Sequence, residues 1–330
     1  MMTNYQNMKP MKKTRCAVVG VGYLGKFHAE KYAALPECDL VAVVDTDPAT
    51  VQTVAQKTAT RAVTDYRELL GEVDAVSIVV PTSQHFAVAR DFLEAGAHVL
   101  VEKPITVTLA EADALIELAA RQHRVLMVGH LERFNAALMG LDLSAGSPLF
   151  IESHRLAPFK PRANDVSVVL DLMIHDIDII LDIMGCEVER IDAKGVRVLT
   201  GDIDIANARI SFSNGGVANV TASRVSLKLE RKMRLFMPDA YFSVDFQNRV
   251  LSCHRKGERN MFPGIPEILS EETVFENGDA LLSEIQHFMT CIQTDTQPLV
   301  SGQAGRRALA TAIEITRLLN TPTTATGATQ

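Results

Sequence analysis

Between Arg15 and about His130, short apolar runs alternate with amphipathic stretches, and this alternation restricts the possible folds more than any other feature. The apolar runs are rich in valine and isoleucine and contain few polar residues: CAVV, LVAVV, AVSIVV, HVLV and VLMVG. Continuous apolar runs are typical of strands that are buried on both faces of a parallel sheet. The order of strand and helix patterns therefore predicts an α/β domain of the Rossmann type, with a doubly wound parallel sheet.

After about Ser144 the pattern changes to longer strand-like segments with period-two alternation, among them ANARISFSNGGVANVTASRV and RLFMPDAYFSVDF. Within the first of these segments, Ser213–Gly216 (SNGG) predicts a hairpin turn. One helical pattern covers roughly residues 166–184, and two more close the chain at about 279–292 and 302–319. The sequence therefore predicts a second domain of the α+β class, with an open and largely antiparallel sheet.

The length of 330 residues exceeds the usual size of a single hydrophobic core, which favours two domains. The last residues, TPTTATGATQ, are small and polar, as is common in unstructured tails. The predicted organisation is a flexible N-terminus at residues 1–14, the Rossmann domain at 15–130, the α+β domain at 131–320 and a disordered tail at 321–330.

Composition excludes several classes of protein. Hydrophobic residues make up 47% and charged residues 22% of the chain, as in soluble globular proteins and unlike disordered chains. The formal net charge of −7 argues against a general nucleic-acid binder, because that function needs a concentrated basic surface. The five cysteines are widely spread and have no CxxC spacing, so we expect neither a disulfide framework nor a metal site. No segment has the pattern of a signal peptide or a membrane span, and we expect a cytoplasmic protein.

A GxGxxG motif, Gly20–Gly25, follows the first predicted strand and leads directly into a helical pattern. Glycines permit a tight turn and let the backbone approach a pyrophosphate, while the N–H groups at the start of the helix bind the anion. The motif therefore predicts a dinucleotide site. Its predicted cofactor-binding residues are Gly20, Gly22, Tyr23, Leu24 and Gly25.

Asp45 ends the second predicted strand, about twenty residues after the motif. A carboxylate at this position accepts hydrogen bonds from ribose hydroxyls and repels a 2′-phosphate, which favours NAD over NADP. Two alternatives remain open from the residues alone: a glycine-rich turn in an α/β domain that binds no nucleotide, and an FAD site. The position of the motif and the sequence after it fit FAD less well.

The fifth predicted strand ends in Glu102-Lys103-Pro104 (the EKP turn), which places two charged residues at the carboxyl edge of the parallel sheet. Ligands of such folds bind at this edge. Proline lacks a backbone donor and has a restricted φ, so it gives the preceding side chains a defined direction. The alternative is an ordinary solvated pair of charges after a strand.

In the predicted helix DLMIHDIDIILD, four polar residues fall on one narrow stripe, and apolar residues cover most of the remaining surface. The stripe consists of Asp171, His175, Asp178 and Asp182, and Asp176 alone departs from the division. A helix of this kind is predicted to be buried, with its polar stripe facing a cleft.

Asp171 and His175 are one turn apart, so the carboxylate is placed to orient the imidazole, which would accept a proton from an alcohol. The stripe has two other interpretations. One is the solvated face of an amphipathic helix, and the other is a metal site from His175 and Asp178. The metal site is disfavoured because no second histidine cluster lies nearby in the sequence.

Taken together, these motifs resemble the glucose-fructose oxidoreductase, inositol dehydrogenase and MocA family over nearly the whole of residues 15–320. The matching segments, in chain order, are GVGYLG, VVDTDP, VPTSQHFAVA, VEKPIT, GHLERFNAA and LDLMIHDIDIIL. The resemblance implies NAD-dependent oxidation of a sugar alcohol. It also implies that the second domain provides much of the substrate site and the contact between subunits of a homodimer or homotetramer.

By this resemblance, Lys103 lies between the nicotinamide and the sugar, and Asp171 and His175 form the acid–base pair of the substrate domain. The predicted catalytic residues are thus Lys103, Asp171 and His175. Further predicted cofactor-binding residues, in addition to Asp45 and Lys103, are Thr82, His85 and Glu102. Predicted substrate-binding residues are Lys103, Arg133, Asn135, Asp171 and His175.

The chain departs from the family pattern at two places. It has Asn164–Val169 where many members are glycine-rich, and Ala136 where a proline commonly follows the Arg-Phe-Asn run. The first departure favours a nucleotide-sugar substrate over a generic open pocket.

Two segments, ESHRLAPFKPR and RLFMPDAYFSVDF, resemble the family members that oxidise the C3 hydroxyl of UDP-N-acetylglucosamine for amino-sugar lipid A synthesis. Arg155, Lys160 and Arg162 then either contact a diphosphate or are ordinary surface charges. The resemblance also implies an aminotransferase, dependent on pyridoxal phosphate, as a downstream partner.

Three alternatives to this substrate stay open. The first is a dehydrogenase of myo-inositol or a free sugar, and the second is a redox-neutral NAD-dependent glycosidase. The third is a non-catalytic dinucleotide-binding regulator on the same fold, which the presence of Lys103 with the Asp171 and His175 pair disfavours.

Overall fold

The computed structural model describes residues 13–144, 146–159 and 167–321, which form two compact units. The first unit contains the residues up to His130 together with Leu281–Arg306, and the second contains Leu131–Ala280 and the residues from Arg307 onward. Several sequence predictions fall outside the described residues: those for residues 1–12, Lys160, Arg162, Asn164–Val166 and residues 322–330.

Eight α-helices lie in the described part of the chain. They are α1 (Gly25–Ala34), α2 (Pro48–Thr58), α3 (Thr82–Glu94), α4 (Leu109–Arg121), α5 (Ala136–Met139), α6 (Ile174–Met184), α7 (Ala280–Thr294) and α8 (Gly302–Asn320). None of these helices is both long enough and apolar enough to cross a membrane.

The first unit has a sheet of six strands, and every pair of neighbouring strands is parallel. The strands are β1 (Thr14–Val19), β2 (Cys38–Val44), β3 (Arg61–Val63), β4 (Ala75–Ile78), β5 (His98–Glu102) and β6 (Leu126–Gly129). Their order is β3-β2-β1-β4-β5-β6, so the chain reverses its direction of winding between β1 and β4. In α/β folds the crevice at such a point, beyond the carboxyl ends of the strands, binds the ligand.

Local sequence signals set the helices that surround this sheet. Asp47 caps α2 by accepting the N–H groups of Ala49 and Thr50, and Pro48 occupies the first helical position. Thr108 and Glu111 form a reciprocal capping box at the start of α4. The βαβ pattern read from the apolar runs is confirmed as a doubly wound parallel sheet.

Residues Leu281–Arg306 belong to the first unit because they pack against the edge strand β6. The N–H of Val128 donates to the carbonyl oxygen of Val300 at 3.0 Å, and Met127 pairs with Ser301 in an antiparallel bridge. A Cβ on Gly305 would come within 2.6 Å of the Val128 side chain, so the start of α8 lies directly against β6. From the sequence this segment is predicted to lie in the second domain, at 131–320, because helical periodicity does not indicate which sheet covers the apolar face of a helix.

The second unit has a mixed sheet of eight strands, in which only β7 and β10 pair in parallel. The strands are β7 (Phe150–Leu156), β8 (Val188–Val196), β9 (Ile205–Phe212), β10 (Val217–Ser223), β11 (Glu230–Phe236), β12 (Ala240–Asp245), β13 (Val250–Phe262) and β14 (Ile265–Val274). Their order is β14-β13-β12-β11-β7-β10-β9-β8. The predicted α+β class with a largely antiparallel sheet is confirmed.

The SNGG segment forms the predicted hairpin between β9 and β10. Gly215 has φ of 82°, in the region that favours glycine, and the N–H of Phe212 donates to the carbonyl oxygen of Gly216 at 2.9 Å. A Cβ on Gly216 would meet the Met184 side chain at 2.2 Å, so the turn also packs against the end of α6.

Helix α6 supplies much of the core of the second unit. Ile174, Ile177, Ile180 and Met184 are buried in the same cluster as side chains from the sheet. The helix ends at Gly185, whose φ of 59° terminates it in the left-handed region. Its beginning differs from the regular helix that the sequence predicts, because Val169–Met173 form a π-helical turn before α6.

Candidate active site

The glycine-rich turn after β1 has a shape that only glycine permits at two positions. Gly20 has φ of 87°, and a Cβ there would lie 2.7 Å from the carbonyl oxygen of Val79. A Cβ on Gly25 would lie 1.8 Å from the carbonyl oxygen of Gly20. At Gly22, in contrast, a Cβ would meet no atom within 4 Å. The turn is therefore closely packed at Gly20 and Gly25 and open at Gly22. The open backbone at Gly22 would let a pyrophosphate approach closely.

Helix α1 begins at Gly25, so the positive end of its dipole follows the turn directly. Asp45, just after β2, accepts the N–H of Val21 through Oδ2 and the N–H of Asp47 through Oδ1, both at 3.0 Å. These bonds fix a carboxylate beside the glycine-rich turn. A fixed negative charge here favours a ribose with free hydroxyls over one that carries a phosphate.

Tyr23 and Leu24 project from the turn with 77% and 50% of their surface exposed. The ammonium group of Lys26 lies 5.7 Å from the ring centre of Tyr23 and 5.0 Å from that of Phe27. Their exposure leaves the side chains accessible to a ligand, and their contact with the cofactor stays a prediction.

The EKP turn follows β5, with a cis peptide bond between Lys103 and Pro104. Glu102 accepts the backbone N–H of Lys103 through Oε2 at 3.2 Å. Its Oε1 lies 3.3 Å from Nε2 of His28, a buried residue of α1. Burial alone would raise the pKa of Glu102, but the hydrogen bond and charge of His28, with the charge of Lys103, lower it below its usual value.

His85 connects two loops at the carboxyl edge of the sheet. Its ring is 1% exposed, with Nδ1 at 2.9 Å from the carbonyl oxygen of Pro104 and Nε2 at 2.9 Å from that of Val80. Burial lowers the pKa of this imidazole, although the two carbonyl contacts oppose the shift. His85 thus links the EKP turn to the loop that contains Val80. Direct cofactor binding by its ring stays a prediction. Thr82, the first residue of α3, is half-buried next to this loop.

In the second unit, Asp171 lies in the π-helical turn and His175 in the first turn of α6. Both side chains are half-buried. The N–H of Asp171 donates to the carbonyl oxygen of Ser167 at 2.9 Å. Short π-helical segments are frequent at functional sites, and this one widens the helix at the predicted acid–base pair.

Arg133 occupies the other end of the polar stripe. Its guanidinium pairs with Asp182 at 2.8 Å and with Asp178 at 3.6 Å, and the side chain is 4% exposed. Burial raises the pKa of Asp178 to about 7, although the charge of Arg133 opposes this shift. The stripe is therefore not a uniform solvated surface, since Asp178 and Asp182 contact Arg133. Sugar binding by Arg133 stays a prediction.

Asn135 is 7% exposed and makes two structural hydrogen bonds. Its Oδ1 accepts the N–H of Ala137 at the start of α5, and its Nδ2 donates to the carbonyl oxygen of Phe246 at 2.9 Å. These bonds explain why an asparagine suits this position, and its proposed role in substrate binding is untested.

Arg155 does not lie on the surface, where a diphosphate contact would place it. It is 2% exposed and forms two hydrogen bonds with Asp176, at 2.8 and 3.0 Å, and a third with Glu132 at 2.8 Å. Asp176 is the residue that departed from the division of α6 into polar and apolar faces. A carboxylate on an apolar helix face needs a buried cation, and this signal was present in the sequence.

The structure thus brings the predicted cofactor residues together at the carboxyl edge of the parallel sheet in the first unit. The predicted substrate residues of the second unit lie on α6, on its preceding π-helical turn and in the segment that leads to α5. Two further residues of the first unit, His28 and Glu284, lie close to Glu102 and were not found from the sequence.

Comparison with known proteins agrees with this arrangement. Residues 14–130 match the model of the GFO/IDH/MocA oxidoreductase family with an NAD-binding Rossmann fold, and residues 145–241 match the GFO/IDH/MocA C-terminal domain. UDP-N-acetylglucosamine 3-dehydrogenase of Acidithiobacillus ferrooxidans is 44% identical over 302 residues, which cover 91% of this chain and 96% of that protein.

A solved structure of the Acidithiobacillus ferrooxidans enzyme superposes with a TM-score of 0.88 at 44% identity, over 94% of this chain and 98% of that one. The NAD-dependent scyllo-inositol 2-dehydrogenase of Bacillus subtilis is 28% identical over 312 residues, 88% of this chain and 89% of that protein. The chain therefore belongs to the GFO/IDH/MocA family of oxidoreductases with an NAD-binding Rossmann fold.

Proposed function

We propose that this protein oxidises the C3 hydroxyl of UDP-N-acetylglucosamine to a ketone, with NAD as the oxidant. The observation that carries the proposal is the 44% identity to a UDP-N-acetylglucosamine 3-dehydrogenase over 91% of the chain. The inositol dehydrogenase of Bacillus subtilis, at 28% identity, is a more distant relative. Among the substrates of the family, we therefore favour a nucleotide sugar for this protein.

The residues of the first unit fit NAD. The bare backbone at Gly22 and the N-terminus of α1 would receive the pyrophosphate, and Asp45 would bind the adenosine ribose. NAD, when bound, supplies a nicotinamide ring that accepts a hydride.

The chain itself supplies the binding and proton-transfer groups. Lys103 lies at the end of β5, where His85 and Glu102 hold the EKP turn. Its ammonium group would bind the reacting hydroxyl by hydrogen bonding. We assign the acid–base role to His175, since an imidazole titrates near neutral pH and accepts a proton readily. Asp171, four residues earlier on the same helical segment, would orient that ring.

Activity with purified protein tests the proposal. We expect NADH to form with NAD and UDP-N-acetylglucosamine, and not with myo-inositol, glucose or free N-acetylglucosamine. A glutamate-dependent aminotransferase in the assay would remove the keto product and pull the reaction forward. NADH formation with inositol or glucose alone would contradict the substrate and favour the second candidate, an inositol or free-sugar dehydrogenase.

Two variants test the assigned residues. Lys103→Ala and His175→Ala should each lower kcat by about 100-fold or more, because each removes a group that binds or takes the proton in the transition state. Lys194→Ala, in β8 of the second unit, is a control outside the proposed site and should retain activity. Unchanged turnover in both of the first two variants would contradict the mechanism.

We further propose that the enzyme acts in the cytoplasm as a homodimer or homotetramer and feeds a keto sugar to an aminotransferase in amino-sugar lipid A synthesis. Exposed apolar side chains on β13 and β14 support the association of subunits through this sheet. They include Met261, Phe262, Ile265, Ile268 and Leu269. Molar mass in solution, measured by light scattering, tests the oligomer.

A further inference from the structure

Three ionisable side chains meet at the EKP turn in the first unit, and we call them the acid–imidazole cluster. His28 on α1, Glu102 at the end of β5 and Glu284 on α7 each bring one nitrogen or oxygen atom within 4.8 Å of the other two. His28 is 3% exposed, and Glu284 is completely buried. The three elements are far apart in sequence, so tertiary folding alone assembles the cluster.

Glu102 is held on several sides within this cluster. His28 contacts one of its carboxyl oxygens at 3.3 Å, and the backbone N–H of Lys103 donates to the other at 3.2 Å. A Cβ on Gly129 would lie 3.1 Å from the carboxyl carbon of Glu102, so the backbone of β6 packs closely against the same group. A displacement of the Glu102 carboxylate would therefore move the peptide at which the EKP turn begins.

Glu284 is the member of the cluster whose burial is not explained by any hydrogen bond among the described residues. Neither of its carboxyl oxygens has a hydrogen-bond partner among the described residues, although both are buried. An ionised carboxylate without partners is costly to bury, and two carboxylates this close do not both ionise readily. Burial, and then the charge of Glu102, raise the pKa of Glu284 well above its usual value. The cluster therefore holds its proton on Glu284 and its negative charge on Glu102.

A buried hydroxyl lies near Glu284 and adds no charge to the cluster. Tyr32 on α1 is fully buried, with its hydroxyl 2.9 Å from the hydroxyl of Ser77. Burial raises the pKa of Tyr32 well above its usual value, and it stays neutral. The positive charge of Lys103 acts on Glu102 and favours its ionised form.

We propose that Glu284, with His28, is a positioning residue for Lys103. The two side chains fix the Glu102 carboxylate, and this carboxylate fixes the backbone N–H of Lys103. The atoms of Glu284 and its two neighbours are up to 4.8 Å apart. One bridging water, or a small rotation of the Glu284 side chain, would join Glu284 to Glu102 by a hydrogen bond. This role needs a neutral hydrogen-bonding group at position 284. The effect on turnover rests on the proposed function, whereas the effect on NADH binding does not depend on the identity of the substrate.

Two substitutions of similar size separate hydrogen bonding from packing. Glu284→Gln keeps a neutral group that donates and accepts, and it should keep kcat and the Kd for NADH within about threefold of the parent protein. Glu284→Met fills the same space without hydrogen bonds. It should lower kcat about 10- to 100-fold, because small errors in the position of a catalytic group have effects of this size. It should also weaken NADH binding, measured by fluorescence titration.

Thermal unfolding gives the readout that a packing role would not produce. Because Glu284→Met exchanges a buried carboxyl group, whose burial is costly, for apolar contacts of similar volume, its Tm should equal or exceed that of the parent protein while its activity falls. Cys291→Ala, at a buried position elsewhere on α7, is the matched control. It should lower Tm by loss of packing and leave kcat nearly unchanged.

Two results would overturn the proposal. Full activity and unchanged NADH affinity in Glu284→Met would show that residue 284 positions nothing. One equivalent of a divalent metal in the purified parent protein, lost in Glu284→Gln together with activity, would show that the cluster is a cation site that needs both carboxylates. If the parent protein fails to turn over the nucleotide sugar, the proposed function fails, and the NADH titrations still decide the role of Glu284.

Discussion

At the scale of single residues, the first unit contains a histidine whose protonation opposes folding. Nδ1 of His98, at the start of β5, accepts the backbone N–H of Val125 at 3.0 Å. This bond needs the neutral ring, since a protonated imidazole has no acceptor nitrogen. Burial, and then the charge of Arg124, lower the pKa of His98 from 6.5 to about 4.

We predict that this residue makes stability depend on pH between about 6.5 and 4. The unfolded chain takes up the proton first as the pH falls, so the contribution of His98 is complete above the higher value and is lost toward the lower one. After allowance for the partial exposure of the ring, we expect a loss of roughly 2 kcal/mol in the free energy of unfolding.

Urea unfolding of the parent protein and His98→Asn at several pH values measures this effect. The asparagine oxygen replaces the Nδ1 acceptor but does not titrate, so the variant should lose less stability over the same pH interval. Parallel curves for the two proteins would contradict the prediction.

At the scale of elements, buried ion pairs join α6 to the strand and turn beside it. Arg155 on β7 pairs with Asp176 on α6 and with Glu132 in the segment before α5. Burial would lower the pKa of Arg155, but the two carboxylates outweigh this effect and raise it. The positions of α6 and β7 therefore depend on a cation and an anion that are both nearly inaccessible to water.

We predict that Asp176→Asn costs about 3–5 kcal/mol of unfolding free energy, because it leaves part of the charge of Arg155 without its partner in the interior. The double variant Arg155→Met with Asp176→Leu removes both of these charges and should recover part of that loss, since Glu132 keeps its contact with Arg231 at 3.4 Å. Denaturant unfolding of the single and double variants makes the comparison. A double variant that is less stable than Asp176→Asn would contradict this explanation.

The same pairs show where sequence reasoning reached its limit at this scale. The periodicity of α6 identified Asp171, His175, Asp178 and Asp182 as a stripe, but it treated the stripe as one surface with one role. Arg133, far away in the sequence, pairs with Asp178 and Asp182, and this contact divides the stripe. The π-helical turn was also missed, because a regular 100° spacing was assumed for residues 169–173.

At the scale of the whole molecule, the residues after Ala280 are shared between the two units. Ile285, Phe288 and Met289 on α7 are buried in the first unit, which contains residues Leu281–Arg306. Ala308, Ala312 and Ile315 on α8 are buried in the core of the second unit. Each unit therefore needs residues that come after Ala280 to complete its core.

We predict that a chain that ends at Ala280 does not fold cooperatively in either unit. The truncation would expose β6 and the core beneath α8, and both surfaces are largely apolar. Circular dichroism melting, limited proteolysis and NADH titration compare the truncated and full-length proteins. A truncated protein that binds NADH and melts in a single sharp transition would contradict the prediction.

The sequence by itself determined the class of both units and the chemistry of the cofactor site. Short-range signals explain this success, since apolar runs specify buried parallel strands and GVGYLG specifies a turn that tolerates only glycine at Gly20 and Gly25. Tertiary structure decided the partners of buried charges: Arg155 with Asp176, Arg133 with Asp178, and Glu284 beside Glu102. It also decided which sheet α7 covers. Such contacts join residues remote in sequence, and the energy of a buried charge depends on neighbours that only the folded chain brings near.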